Sequence, residues 1–246
     1  MSLYLALIIV LVESFLLGSI PFGVIIGRVV YGKDPRDGGS GSIGMTNMAR
    51  LFGKKAAAAT FAGDVLKGAF AVFIARLLLP YVAIAAGWQA DLVLVLGVFG
   101  SIFGHLYCPW LGFKGGKGIS TGLGSILVAL PPVALSILAV FLVVALISKR
   151  ISAGSICAAI GFPVFSCIFY WGSVPIIATA LIIGIAVVYA HRENIKRLIA
   201  GTEPKFSFEG SEKGKDRPNK ADEAHSNQDD AKAGGTAPTN KGVDGA

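Results

Sequence analysis

A chain of 246 residues that is 54% hydrophobic and 15% charged, with a mean hydropathy of +0.68, carries more apolar side chain than a water-soluble core can absorb. Its formal charge of +7 is bunched between apolar runs, the pattern left when charge is kept out of hydrocarbon. A soluble globular domain is thereby excluded and an all-α integral membrane bundle is expected, because backbone in lipid must satisfy its own hydrogen bonds.

The apolar runs fall at residues 3–30, 56–82, 92–113, 119–148, 151–172 and 173–191, most of them near the ~20 residues a helix needs to cross. The first, from Leu3, has no basic leader, carries Glu13 and enters Gly18, Ser19, Ile20 and Pro21 without a small-residue cleavage site, so it reads as a span and not as a cleaved signal. The loop behind it holds Arg28, Lys33, Arg36, Arg50, Lys54 and Lys55 against Asp34 and Asp37, whereas the connection over 81–91 holds only Asp91. The positive-inside rule puts the basic loop in the cytoplasm. One helix over 119–148 would be about 45 Å long and would leave Lys149, Arg150 and the basic stretch from His191 to Lys205 outside. Pro131 and Pro132 interrupt its middle. Split there, the chain forms a polytopic bundle of about seven transmembrane helices, N-terminus outside and C-terminus cytoplasmic, with the short pair as two crossings or one re-entrant hairpin.

Residues 1–206 are expected to form the membrane-embedded domain; their sixteen basic and seven acidic residues leave a charge of +9, suited to anionic headgroups or phosphates. Residues 207–246, rich in Lys, Asp, Glu, Gly and Asn, read as a disordered polar cytoplasmic tail. Cys108, Cys157 and Cys167 have no metal-binding spacing and read as small apolar residues. Asp64 and Lys67, three apart in an apolar run, read as a structural pair that neutralises itself, and Glu13 as facing the bundle interior or the outer interface.

Three polar segments look chemical. In the first, Gly39, Gly41 and Gly44 allow successive N–H groups to face one anion, and Ser40, Thr46, Asn47 and Arg50 add side-chain donors. Gly39 to Gly44 also satisfies G-x-G-x-x-G, but the element before it is long enough to cross a membrane and Asp64 sits in an apolar run, so a dinucleotide fold is rejected. In the second, Lys114, Gly115, Gly116, Lys117 and Gly118 precede an apolar helix whose N-terminus carries partial positive charge. The spacing is not that of a Walker A loop, and the two lysines alone serve equally well as membrane anchors. In the third, helical spacing sets His191 and Asn194 on one face, with Glu193 balancing the neighbouring arginines.

With these motifs in order, the chain resembles the bacterial acyl-phosphate:glycerol-3-phosphate acyltransferase family (PlsY) across about residues 3–205. Gly18, Ser19, Ile20, Pro21, Phe22 and Gly23 look like its first-helix signature, residues 39–50 like its first loop, residues 113–118 like its second, and His191, Arg192, Glu193 and Asn194 like its third. Asp64, Lys67 and Gly68 match its Asp-x-x-Lys-Gly. The chain departs from the pattern at Ser42, where the family has Asn, at Met45, where it has Ala, and at Pro109, displaced by one position. The resemblance implies acyl transfer from acyl phosphate to the 1-hydroxyl of sn-glycerol 3-phosphate, giving lysophosphatidic acid and phosphate, the first acylation of phospholipid synthesis.

It further implies a multi-pass protein of the bacterial inner membrane with a cytoplasmic active site, surrounded by membrane lipids, with no nucleic acid partner, no cofactor or metal, and no requirement for CoA or acyl carrier protein. On that resemblance Ser40, Arg50, His191 and Asn194 are the catalytic set. Gly39, Gly41, Gly44, Thr46, Asn47, Lys114, Gly115, Gly116, Lys117 and Gly118 bind substrate phosphates, and Asp64, Lys67 and Glu193 are structural. The H-x-x-x-x-D signature of carrier- or CoA-dependent acyltransferases is absent, since Trp110 follows His105 and Lys196 follows His191 at that distance. A passive anion transporter would also use glycine-rich broken helices, but its inverted halves are not visible.

Overall fold

The structure, a computed structural model, describes residues 1–206; the expected tail over 207–246 lies outside the described residues. All regular structure among the described residues is helical. Helix α1 (Leu3–Gly18) starts at Ser2, whose Oγ accepts the Leu5 N–H at 3.4 Å, and α2 (Phe22–Tyr31) continues the same apolar run. The run expected as one helix is broken at Ser19, Ile20 and Pro21, because Pro21 has no N–H to donate backwards. Carbonyls freed at the break find partners elsewhere: Ile20 accepts from Lys67 Nζ at 2.7 Å and Ser19 from Cys108 Sγ at 3.0 Å.

Helix α3 (Met45–Leu78) begins eleven residues before its apolar run, so Thr46, Asn47 and Arg50 lie on a helix and not in the loop expected for them. Gly53, at φ 84° and ψ −175°, interrupts it and separates the polar first turns from the apolar remainder. Helix α4 (Gly87–Leu106) is followed by α5 (Ile119–Ala129) and α6 (Pro131–Ser148). The expected split of residues 119–148 is present: Leu130 leaves helical geometry at φ −136° and ψ 67°, and Pro131 and Pro132 occupy the first turn of α6, where a missing N–H costs nothing. Helices α7 (Ile151–Phe169), α8 (Val174–Ala190) and α9 (Arg192–Ile199) complete the order, with α9 bent by 59° from α8.

Helix α4 is the hub, packed on α1, α3, α5 and α8, while α6 and α7 close the circuit between α5 and α8. Val72, Val98, Ile102, Ile126, Val133 and Ala180 fill the core. Helices α1 and α4 approach to backbone contact: a Cβ on Gly104 would stand 2.1 Å from the Phe15 carbonyl. Such small-residue seams suit lipid, where helices gain by close dispersion contact and not by expelling water. Large apolar side chains including Ile8, Phe70, Leu146, Ile147 and Ile185 are exposed on the outside, as hydrocarbon tolerates and water does not. Among the described residues, four segments are long and apolar enough to cross a membrane, and five if α8 with α9 is one bent span. The chain is thus an all-α integral membrane architecture.

Candidate active site

The first polar segment is a rigid clasp. Asp34 caps the short 3-10 turn Pro35–Asp37 and accepts from Arg36 at 2.7 Å and Arg28 at 2.8 Å. Arg36 first, then Arg28, hold its carboxyl well below the usual carboxylate range. Asn47 is buried and fully engaged: Oδ1 accepts the Ser40 N–H at 2.8 Å, while Nδ2 donates to the carbonyls of Pro35 and Ser42, each at 2.8 Å. The amide expected to reach a substrate phosphate therefore holds the loop together instead. Gly39 and Gly41 take positive φ of 61° and 66°, and a Cβ on Gly39 would lie 2.2 Å from Asn47 Oδ1. The Ser40 and Thr46 hydroxyls and the Arg50 guanidinium remain without a partner among the described residues.

The second segment divides its labour differently from the expectation. The N–H groups of Gly115 and Gly116 donate to the carbonyls of Leu106 and His105, both at 3.0 Å, so they close the end of α4 and do not face an anion. Gly116 is needed for room: a Cβ there would fall 2.1 Å from His105 Nε2. Gly118, at φ 79°, turns the chain into α5, whose first intrahelical bond runs from Gly122 N–H to Gly118 O at 2.7 Å. The amides of Ile119 and Ser120 ahead of it project from the helix N-terminus. Lys114 is exposed.

Beneath this loop, Lys67 Nζ meets the buried Asp64 Oδ1 at 2.8 Å and the buried His105 Nδ1 at 2.9 Å, and donates to the half-buried Ile20 carbonyl at 2.7 Å. The ammonium only donates, so His105 Nδ1 accepts and its proton sits on Nε2, next to Gly116. Thr121 Oγ1 adds a contact to the same nitrogen at 3.2 Å. The expected Asp64–Lys67 pair is formed, but its completion by His105 and Thr121 joins helices far apart in sequence and leaves no signal in spacing.

In the third segment, His191 is 2% exposed and its Nδ1 lies 2.8 Å from the Val187 carbonyl. A carbonyl only accepts, which fixes the proton on Nδ1 and leaves the Nε2 lone pair. Asn194 Oδ1 accepts from Lys117 Nζ, and its Nδ2 donates to Glu203 Oε1 at 2.7 Å. Glu203 Oε2 accepts from Arg197 Nε at 2.7 Å. Glu193 is exposed against Lys196 at 3.0 Å and Arg192 at 4.0 Å, the charge-balancing arrangement expected for it. Lys117 is pushed down to about 8, first by burial, then by the charge of Arg197, with Glu203 opposing and Arg50 adding to the effect. The second and third segments thus meet, with Lys117 on Asn194 and Asn194 linked through Glu203 to Arg197.

A bundle for lipid surroundings, in which Lys117 of the second polar segment meets Asn194 of the third, is the architecture of an integral membrane protein that brings two of its polar segments together. A sequence model described as glycerol-3-phosphate acyltransferase matches residues 8–201, and the chain belongs to that family. A glycerol-3-phosphate acyltransferase of Thermosynechococcus vestitus is 42% identical over 195 residues, covering 78% of this chain and 92% of the relative. One of Brucella anthropi is 42% identical over 209 residues, covering 85% of this chain and 97% of the relative. The crystal structure of PlsY (YgiH), an integral membrane glycerol 3-phosphate acyltransferase, in its glycerol 3-phosphate form is similar at TM-score 0.72 and 36% identity, covering 82% of this chain and 96% of that one. Its lysophosphatidic acid form is similar at TM-score 0.70 and 34% identity, with the same coverage of this chain, 82%.

Proposed function

We propose that this protein transfers a fatty acyl group from acyl phosphate to the 1-hydroxyl of sn-glycerol 3-phosphate, releasing lysophosphatidic acid and phosphate, with no CoA or acyl carrier protein. The observation that carries the reading is the meeting of Lys117 with Asn194, which Glu203 ties to Arg197, in a chain of this family. Donor and acceptor each bring a phosphate, and two dianions side by side require concentrated positive charge. Ser40, Thr46, Arg50, Lys114 and the first-turn amides of α5 hold the phosphates. His191 Nε2 accepts a hydrogen bond from the attacking hydroxyl, and Lys117, with Asn194, holds the acceptor's phosphate. The hydroxyl oxygen bonds to the acyl carbon, the carbon–oxygen bond to phosphate breaks, and the departing phosphate takes the proton. Acyl phosphate is already activated, so positioning suffices without a covalent enzyme intermediate.

Detergent-solubilised protein incubated with palmitoyl phosphate and glycerol 3-phosphate is expected to release phosphate and form lysophosphatidic acid only when both are present. Activity with palmitoyl-CoA in place of the phosphate would reject the donor assignment. His191→Ala and Lys114→Ala, purified and folded, are expected to lose turnover; wild-type rates in both would reject the site.

The proposed topology takes α1 with α2, α3, α4, α5, α6, α7 and α8 as about seven transmembrane segments, the N-terminus outside and the active site facing the cytoplasm of a bacterial inner membrane. It rests on the excess of basic residues in the loops that converge. With the native cysteines replaced, Ser40→Cys and Lys196→Cys should react with an impermeant thiol reagent from the cytoplasmic side of vesicles and Gln89→Cys from the other. Labelling of Ser40→Cys and Lys196→Cys from opposite sides would sink the topology and the shared site with it.

A further inference from the structure

Glu203 lies in the third polar segment, two residues beyond the stretch matched to the family, and its spacing suggests no role, yet its side chain is 4% exposed and both its oxygens are used. Oε1 accepts from Asn194 Nδ2 and Oε2 from Arg197 Nε, each at 2.7 Å. The backbone around it is equally tied: its N–H donates to the Arg197 carbonyl at 3.1 Å, its carbonyl accepts from Arg150 Nε at 3.2 Å, and the Phe206 N–H reaches the Lys149 carbonyl at 2.7 Å. The turn after α9 is thereby fastened to the start of α7.

We propose, resting on the acyl-transfer reading above, that Glu203 is a positioning residue: it fixes the orientation of the Asn194 carboxamide and so holds the Lys117 ammonium in place for substrate phosphate. A carboxamide alone can present either end to its neighbours. An ionised carboxylate only accepts, so the Asn194 NH2 must face Glu203, and its carbonyl is left for Lys117, which only donates. Arg197 alone would satisfy one oxygen of a surface carboxylate; here the second oxygen is buried and spent on the residue that contacts the site lysine. Glu203 is also the one carboxylate among the charged groups acting on Lys117, which otherwise are Arg197 on α9 and Arg50 on α3; His191 faces it from the α8–α9 junction.

Removing the Glu203 charge leaves Arg50 and Arg197 unopposed, so Lys117 gives up its proton at lower pH. In Glu203→Gln the alkaline limb of kcat/KM for glycerol 3-phosphate should move to lower pH, with kcat/KM at neutral pH down by about tenfold, as expected for loss of a charged hydrogen bond. Glu203→Asp keeps the charge and should leave the limb near that of the wild type. Arg197→Gln removes a repelling cation and should move it the opposite way, to higher pH, a sign that a merely structural role does not generate. The same shifts are expected in the pH midpoint of Lys117 acetylation by acetic anhydride, read by mass spectrometry without turnover. An unchanged midpoint in Glu203→Gln, or shifts of the same sign in Glu203→Gln and Arg197→Gln, would overturn the proposal. Should Glu203→Gln not survive purification, a midpoint in Arg197→Gln equal to or below that of the wild type would overturn it too. Absence of acyl transfer in the wild type would defeat the acyl-transfer reading, while the acetylation midpoints would still decide whether Glu203 positions Lys117.

Discussion

Asn47 and Thr46 are adjacent in sequence but do different physical work. Asn47→Ala would strip the Ser40 N–H and the carbonyls of Pro35 and Ser42 of their partners. The Pro35 bond is buried and the other two are part-buried; leaving the buried carbonyl unmade costs about 1–3 kcal/mol, so thermal unfolding in detergent should move below that of the wild type, with activity lost alongside it. Thr46→Ala removes a hydroxyl with no partner among the described residues, and its stability should stay within about 0.5 kcal/mol of the wild type. Its kcat/KM should nevertheless fall about tenfold if Thr46 binds phosphate. The residue types at these positions, though not this division, are legible in sequence. Asn47 looks like a free donor until the chain folds, because its partners are backbone atoms of the loop it closes. Gly115 and Gly116 mislead in the same way: glycine signals room near a loop, and only the fold reveals that their N–H groups point back into α4.

Among the elements, α3 carries the heaviest electrostatic load, since Asp64 and Lys67 lie buried between α1, α4 and α5. Their spacing alone announces the pair, as hydropathy announces α6, α7 and α8. The start of α3 at Met45 is hidden because hydropathy does not register a polar helix, and Gly53 makes the first turns a separate piece. The break between α1 and α2 is written in Pro21, but its use is not: the two opened carbonyls bind Lys67 from α3 and Cys108 from the connection after α4. Lys67→Met should therefore do more than loosen one contact, because it leaves the Asp64 carboxylate buried without a countercharge. A loss of about 3–5 kcal/mol is expected, and Asp64→Asn combined with Lys67→Met should recover part of it. Equal unfolding temperatures for the single and double variants would show that the pair is not what holds α3.

At the scale of the whole molecule, one lysine sums charges from segments that the sequence separates by more than a hundred residues. Lys117 falls from its ordinary 10.5 to about 8 because burial, Arg197 and Arg50 disfavour its proton more than Glu203 favours it. The consequence for activity has one sign: phosphate binding needs the ammonium, so kcat/KM for glycerol 3-phosphate should decline as pH rises through about 8, approaching tenfold per further unit. For stability the sign is opposite. Between about 8 and 10.5 the unfolded chain holds the proton that the folded one has released, so this group makes folding more favourable as pH climbs across that window. Loss of rate above pH 8 should therefore occur with no fall in unfolding temperature attributable to Lys117. Lys117→Arg keeps its charge throughout this range, and its activity, lower because the guanidinium does not fit the Asn194 contact, should lose the alkaline limb. If wild type and Lys117→Arg decline together above pH 8, the limb belongs to another group, and the convergence of cations on this residue does not govern binding.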